Sequence, residues 1–339
     1  MNSRIALFIL TFFLTIPLYA NSAVVFMYHR FGESKYPSTN ITIEQFRYQL
    51  DYLQKNDYNV WPLSKVIDHI RNKKTLPPKT VAITIDDAYI STFTKAYPML
   101  KSKSFPFTVF VSTNQVDSKS NSYMSWEQMR EMQKNGSEFA NHSLSHEFLL
   151  PKKNEPEETW KKWISAEIQG AEKRLKEELG EDVNSQKLFS YPFGEYTMKT
   201  AELVRELGYV GITQTSGPVG EESDLMAITR FPMAEAFATP DGFKTKLNTI
   251  PIPIETIKPR EPFIKENPPK LRIKLKEEVK NIGCYTSNGE AIKVNWISKT
   301  EFEISADKEL KPPRDKYTCT AQAKDAKWYW HSHFWIIEK

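Results

Sequence analysis

The sequence predicts an α/β chain, a mostly parallel sheet or barrel followed by a small all-β, sandwich-like domain. Three observations carry this. Strand-forming runs alternate with amphipathic helical stretches as far as about residue 248. Six prolines then fall between Pro251 and Pro269 among alternating charges, which reads as a linker. Beyond Leu271 the apolar runs shorten and are joined by turns such as Ser287-Asn288-Gly289. The expected boundaries are a signal peptide over 1–23, the α/β domain over 24–248, the Pro-rich linker over 249–270 and the β domain over 271–339.

Taken in order, Ala23 to Tyr28 reads as a strand ending at His29. Thr42 and Gln45 make a capping box ahead of a helix that carries Phe46, Leu50 and Leu53. Ser64 is expected to cap a second helix with Val66, Ile67 and Ile70, and Pro77-Pro78 stops the chain before a central strand from Thr80. Thr92 to Lys101 is predicted as a helix, Phe107 to Ser112 as a strand, Ser125 to Asn135 as a capped helix and Ser137 to Asn141 as a strand. Trp160, Ile164, Ile168, Ala171, Leu175 and Leu179 share one face of a long helix, and the stripe reads as core. Lys187 to Tyr191, Val210 to Thr213 and Ala227 to Arg230 are the last strands of this part, with a helix over Met198 to Leu207. In the β domain Leu271 to Leu275, Ile292 to Ile297, Glu301 to Ile304, Tyr317 to Ala321 and Trp328 to Ile337 are expected strands.

Composition excludes more than it selects. The chain of 339 residues is 40% hydrophobic and 26% charged, with a net charge of +4. Basic and acidic residues are interleaved, so no nucleic-acid stripe and no polybasic membrane patch is present. Arg4 precedes the apolar run Ile5 to Leu18, and Leu18-Tyr19-Ala20 or Asn21-Ser22-Ala23 offers a cleavage point, the pattern of a secretory signal peptide. The run is shorter than the roughly 20 residues a spanning helix needs. An exported protein, periplasmic or secreted and without a stable membrane span after cleavage, is expected, its mature chain starting near Asn21 or Val24. In that compartment Cys284 and Cys319 are expected to pair, two free buried thiols being the alternative.

The chemistry begins at Thr80-Val81-Ala82-Ile83-Thr84-Ile85-Asp86-Asp87-Ala88-Tyr89. A buried strand delivers two adjacent carboxylates to a sheet end, where both can stay ionised only beside a cation, most simply a metal. Asn141-His142-Ser143-Leu144-Ser145-His146 offers two imidazoles at i and i+4, on one face of an expected helical turn. Separately, an Asp pair reads as a solvated turn and the His pair as chance; together they predict a metal site. Two His and one Asp leave coordination positions open, as in a catalytic zinc centre.

Ile83-Thr84-Ile85-Asp86-Asp87-Ala88-Tyr89, His142-Ser143-Leu144-Ser145-His146 and Tyr191-Pro192-Phe193-Gly194, in that order, resemble the first three motifs of the polysaccharide deacetylases, the NodB-like carbohydrate esterases. Met27-Tyr28-His29 resembles the variant found in the periplasmic poly-N-acetylglucosamine deacetylases. The resemblance covers roughly residues 24–245 and implies a distorted (β/α) barrel. It also implies a divalent metal on Asp87, His142 and His146, zinc first, with cobalt, nickel or iron as alternatives. Asp86 matches the catalytic base, and His29 matches the acid that other members supply after the last strands. Tyr89, Pro192, Phe193, Gly194 and Arg230 are the expected substrate contacts. The third motif commonly starts with an arginine that orients the base; here the region reads Phe189-Ser190-Tyr191, and Arg230 is the candidate replacement.

The function this implies is metal-dependent deacetylation of an N-acetylated amino-sugar polysaccharide, whether poly-N-acetylglucosamine, peptidoglycan or another exopolysaccharide. Two other classes compete. Two His and a carboxylate also hold iron in non-haem oxygenases, although the adjacent second Asp argues against that order of ligands. A glycan-binding protein on the same fold is the other, with Trp328-Tyr329-Trp330 as a stacking surface. His331 and His333 read as plain surface residues, as does His69.

Overall fold

The computed structural model describes residues 21–152, 154–324 and 326–337. Of the expected signal peptide only Asn21, Ser22 and Ala23 lie inside them. The strands of the first part are β1 (Ser22–Tyr28), the short ribbon β2 (Arg30–Phe31) and β3 (Asn40–Ile41), β4 (Asn59–Trp61), β5 (Thr80–Asp86), β6 (Thr108–Val111), β7 (Glu138–Asn141), β8 (Leu188–Ser190), β9 (Val210–Ile212), β10 (Val219–Gly220) and β11 (Phe231–Pro232). The helices are α1 (Ile43–Lys55), α2 (Leu63–Arg71), α3 (Tyr97–Ser102), α4 (Thr113–Asp117), α5 (Trp126–Gln133), α6 (Glu157–Leu179), α7 (Met198–Glu206) and α8 (Pro240–Leu247).

The nine-stranded sheet runs β10-β1-β5-β6-β7-β8-β9, with β4 also on β5 and β11 also on β1. β1, β5, β6, β7, β8 and β9 are parallel to one another, with only β10 antiparallel on β1, so their carboxyl ends gather at one rim. All seven residues of β5 are buried, as expected of a strand paired on both edges and covered on both faces. On one face Val24, Phe26, Val81, Ile83, Ile85 and Val109 join a cluster with Phe46, Leu50 and Met129 of the helices. On the other, Val25, Ala82, Phe110 and Ala140 pack with Leu188, Val210 and Ile212. The sheet curls, and the segment after β10 spans the gap between its ends: Ile228 bridges Ile212, while Phe231 and Pro232 pair with Phe26 and Met27. The strand expected over Ala227 to Arg230 is thus replaced by one bridging residue and a two-residue strand, because the chain crosses between two strands that do not touch.

Local chemistry accounts for most boundaries. The capping boxes Thr42/Gln45 and Ser125/Gln128 are present at α1 and α5. Ser64 is not a cap: α2 starts from Pro62, and the Ser64 backbone and hydroxyl both donate to Glu138. The helix expected over Thr92 to Lys101 opens as a π-turn over Thr92–Ala96 before α3; Pro98, which has no N–H to donate one turn back, lies at the change. The apolar stripe of α6 is buried throughout.

The second part has nine strands: β12 (Thr249–Pro251), β13 (Ile254–Lys258), β14 (Leu271–Leu275), β15 (Gly283–Tyr285), β16 (Ala291–Ile292), β17 (Asn295–Ser298), β18 (Glu301–Ile304), β19 (Arg314–Gln322) and β20 (Trp328–Ile336). They form two sheets, β12-β20-β19-β15-β16 and β13-β14-β18-β17. Leu271, Ile273, Phe302, Ile304, Tyr317 and Trp335 belong to one buried cluster with Cys284 and Cys319. The expected linker is therefore partly wrong. β12 and β13 fall inside 249–270 as edge strands, the position where proline is tolerated because one side of the strand needs no donor.

The aromatic run divides by alternation. Trp330 packs edge-on to Phe231 at 5.3 Å, Tyr329 packs against the second core, and Trp328 stays exposed. His331 and His333 are not surface residues. They share a face of β20 with the buried Trp335, His333 lies 4.3 Å from its ring, and burial pushes both imidazoles down, to about 4 and about 3. His69 is half-buried against Trp61, ring to ring at 4.8 Å.

Cys284 and Cys319 stand opposite each other on β15 and β19 and are bonded. Replacing both by alanine opens a cross-link spanning 35 residues, a loss of about 3 to 4 kcal/mol in the chain-entropy account. Urea unfolding followed by tryptophan fluorescence should show that loss, and an unchanged midpoint would remove the bridge from the stability of this part.

Candidate active site

Each candidate residue sits at the rim where the parallel strands end. Asp86 closes β5 and is fully buried. The next two residues, Asp87 (φ 72°) and Ala88 (φ 55°), are both left-handed. This turn points the two neighbouring carboxylates apart, at a backbone cost that persists only where surrounding contacts hold it.

Asp86 faces Arg230. The guanidinium donates from Nη1 to Oδ1 at 2.7 Å and from Nη2 to Oδ2 at 2.8 Å. Its other donors reach Thr84 Oγ1 at 3.1 Å, Ser190 Oγ at 3.0 Å and the Thr213 carbonyl at 3.0 Å. Burial alone would raise the Asp86 carboxyl, but Arg230, with His142 and His29 behind it, outweighs burial and holds the group below its ordinary value. Arg230 is itself fully buried, so the structure sets it under Asp86 and not among residues a substrate would touch. His29, just past β1, has Nε2 4.0 Å from Asp86 Oδ2. Burial lowers its pKa against the opposing pull of Asp87 and Asp86, which leaves the ring neutral near pH 7.

Asp87 turns to the two histidines. Its Oδ1 lies 3.3 Å from His142 Nε2 and 3.1 Å from His146 Nε2. One ligand atom from each of the three residues falls within 4.8 Å of the others, and among the described residues no second group of three or more His, Cys, Asp or Glu converges this way. His142 is the informative member. Its Nδ1 is 2.8 Å from the Ser190 carbonyl, which can only accept, so Nδ1 carries a proton and Nε2 is the atom turned to Asp87. That buried Nε2 has no hydrogen-bond donor and faces a carboxylate oxygen. A carboxylate so placed calls for positive charge beside it. Asp87 and Asp86 outweigh burial and raise the pKa of the His142 ring, so a second ring proton supplies that charge without metal, and two imidazoles with a carboxylate suit a divalent metal in its place.

The loop carrying the histidines is not the expected helical turn. Ser143 (φ 66°) and His146 (φ 60°) are left-handed, which interrupts any α-helix. Side chains tie the loop instead: Asn141 Oδ1 accepts from the Ser143 N–H at 3.0 Å, and Ser143 Oγ accepts from the His146 N–H at 3.0 Å. Glu167 of α6 accepts from both the backbone and the hydroxyl of Ser145 at 2.9 Å. The two rings still meet, with centroids 4.8 Å apart.

The remaining candidates form the walls. Pro192–Gly194 is a single 3-10 turn in which Phe193 (φ 59°) and Gly194 (φ 74°) are left-handed. Gly194 is needed twice over, since a Cβ there would stand 2.7 Å from the Gln214 backbone nitrogen. The Phe193 ring packs 4.6 Å from His146 and 4.1 Å from the exposed Phe148. Tyr89, two residues past Asp87, stacks on Tyr123 at 5.3 Å and lies 3.4 Å under the Arg30 guanidinium. Sequence reading missed Ser190, Thr84, Glu167 and Phe148. Of these only Ser190, at the place of the missing arginine, left a signal.

Comparison with known proteins agrees with this layout. The profile of the polysaccharide deacetylase family matches residues 73–212. The putative polysaccharide deacetylase YxkH of Bacillus subtilis is 24% identical over 209 residues, 61% of this chain and 69% of that protein. A poly-β-1,6-N-acetyl-D-glucosamine N-deacetylase of Staphylococcus aureus (strain MSSA476) is 26% identical over 206 residues, 56% of this chain and 70% of its own. The solved structure of IcaB from Ammonifex degensii superposes with a TM-score of 0.56 at 27% identity, over 68% of this chain and 97% of that one.

The Asp86–Arg230 pair yields a stability prediction. Arg230→Met leaves a buried carboxylate without its cation, a loss of about 3 to 5 kcal/mol. Asp86 is held below its ordinary 3.8, so the pair's contribution is complete above that pH and is lost as the pH falls through the depressed value. Urea midpoints of wild type and variant should differ most at neutral pH and converge as the pH falls through the depressed value of Asp86; a constant gap would contradict this electrostatic account.

Residues 73–212, which include Asp86, Asp87, His142, His146 and Pro192–Gly194, are thus a polysaccharide deacetylase domain, of a carbohydrate esterase family that hydrolyses N-acetyl amide bonds.

Proposed function

We propose that the protein is a metal-dependent N-deacetylase that removes acetyl groups from an N-acetylated amino-sugar polysaccharide. The observation that supports this most is the convergence of buried His142 Nε2 with Asp87 and His146 beside a carboxylate gripped by Arg230. The name of the Staphylococcus aureus relative makes poly-β-1,6-N-acetyl-D-glucosamine the first substrate to test. Asp87, His142 and His146 would hold the metal, with zinc first and cobalt, nickel or iron as alternatives. When bound, such an ion lowers the pKa of a water and polarises the acetamide carbonyl.

The chain's own residues supply the rest. Asp86, oriented through both oxygens, takes a proton from the attacking water while the hydroxyl oxygen bonds to the carbonyl carbon. His29 is neutral at rest, so it must gain a proton before it gives one. Asp86, once it has taken the water's proton, can pass it on, its Oδ2 being 4.0 Å from the His29 Nε2. That proton then passes to the nitrogen as the C–N bond breaks, releasing acetate and a free amine. Tyr89, near Asp87, and Phe193, against His146, would contact the sugar ring.

Three subsidiary proposals accompany this. The apolar run Ile5 to Leu18 makes the protein exported, in keeping with a disulfide. Residues 271–339, with β12 and β13 preceding them, form a small β domain. No helix among the described residues is long and apolar enough to cross a membrane, and the substrate is taken up at the open rim.

The decisive measurement is acetate release from N-acetylated glucosamine polymers with and without chelator, with bound metal quantified in parallel. Alanine at Asp87, His142 or His146 should remove the metal. Asp86→Asn should keep the metal and lose activity by about 10²–10⁴, the usual share of a positioned base. His29→Ala should also keep the metal while failing at amine departure. Full activity in metal-loaded His29→Ala would move the acid to another residue, and release that is indifferent to chelator would reject the metal.

A further inference from the structure

The second part of the chain reaches into the site through one side chain. Arg314 is the first residue of β19, and its Nη1 donates to the Phe193 carbonyl at 2.9 Å and to Glu195 Oε1 at 3.0 Å. Its guanidinium carbon is 5.9 Å from the centroid of the Phe193 ring. The turn it grips has two successive left-handed residues, one of them a phenylalanine, a backbone state that persists only where neighbours determine it. The ring of that phenylalanine covers His146, which sits on its own left-handed residue and is 21% exposed.

We propose that Arg314 is a positioning residue: it locks the turn Pro192–Glu195 so that Phe193 holds His146 in place for the metal. The β part of the chain would then complete the deacetylase site, and a detached sugar-binding role is not needed to explain why it is there. The chain of contacts is short. Arg314 fixes the carbonyl and the following acid, the carbonyl fixes the turn, the turn aims the ring, and the ring limits the swing of the imidazole. Glu195, only 3% exposed, gives the guanidinium, itself 37% exposed, a charged partner, and a charge-assisted hydrogen bond is stronger than a neutral one.

The effect on chemistry rests on the reading under Proposed function; the effect on the turn does not, and the experiment separates the two. Hydrogen–deuterium exchange of the peptide spanning Pro192–Glu195 is compared in wild type, Arg314→Ala and Arg314→Lys, with Arg272→Ala as a control. Arg272 pairs with Glu301 elsewhere in the β sheets. Exchange should rise in Arg314→Ala, rise less in Arg314→Lys, which keeps the charge but not the fork, and stay at the wild-type level in Arg272→Ala. Zinc affinity, by competition with a fluorescent chelator, should weaken by about 10-fold in Arg314→Ala, in the range seen when the supports of metal ligands are removed. The kcat should fall by a similar factor through misplacement of the site, with thermal unfolding little changed.

Unaltered exchange in Arg314→Ala overturns the proposal, and so does equal loosening in Arg272→Ala. If the alanine variant does not fold, the lysine variant decides by the same readouts. Wild-type zinc affinity and kcat in a variant with a loosened turn overturn the link to His146. A wild-type protein that neither binds zinc nor releases acetate refutes the proposed function and leaves the exchange comparison to decide the lock.

Discussion

A carboxylate and a guanidinium, both withdrawn from water, set the conditions for the rest of this structure. Desolvating two charges is recovered only if the geometry is good and every remaining donor finds an acceptor. The Arg230 side chain has five N–H donors, and here two reach Asp86 and the others reach Thr84, Ser190 and the carbonyl of Thr213. These acceptors come from three separate strand ends, so the pair draws together β5, β8 and the chain beyond β9. It also anchors the irregular segment that spans the open side of the sheet.

The histidine loop shows the same economy. A short helix would have carried both imidazoles on one face, yet the chain uses left-handed residues and a web of side-chain acceptors. α6 does double duty: its apolar stripe is core, while Glu167 and the carbonyl of the same residue receive three hydrogen bonds from Leu144 and Ser145. His142 is pinned through its far nitrogen by Ser190, the residue whose hydroxyl also supports Arg230. One serine therefore sets both the tautomer of a candidate ligand and the angle of the guanidinium.

Much of this was legible in the sequence, and the failures have physical causes. Alternation of strands and helices, the capping boxes and the α6 stripe were readable because each is a local pattern. The grouping of Asp87 with His142 and His146 was readable because each sits at the end of an apolar run. The i, i+4 spacing then misled: it is compatible with a helical turn, but Asn141 and Ser143 offer side-chain acceptors that compete with helical hydrogen bonds. Proline density suggested a linker over 249–270, although an edge strand needs donors on one side only. Glu167 and Arg314 carry no local signal, since their importance arises from partners 22 and 119 residues distant, Ser145 and Glu195.

The five-donor arrangement around Arg230 also bears on how sequences of this kind can change. An arginine supplied at the start of the third motif would have to enter the space where Ser190 now meets Arg230 and would bring a second positive charge to one buried carboxylate. Either guanidinium alone completes the environment of Asp86; both together leave one without a counter-charge. The two positions are thus bound by epistasis, in which gain at one is tolerated only with loss at the other. An evolutionary path between the two arrangements must pass through an intermediate that leaves either the carboxylate or a guanidinium unmatched.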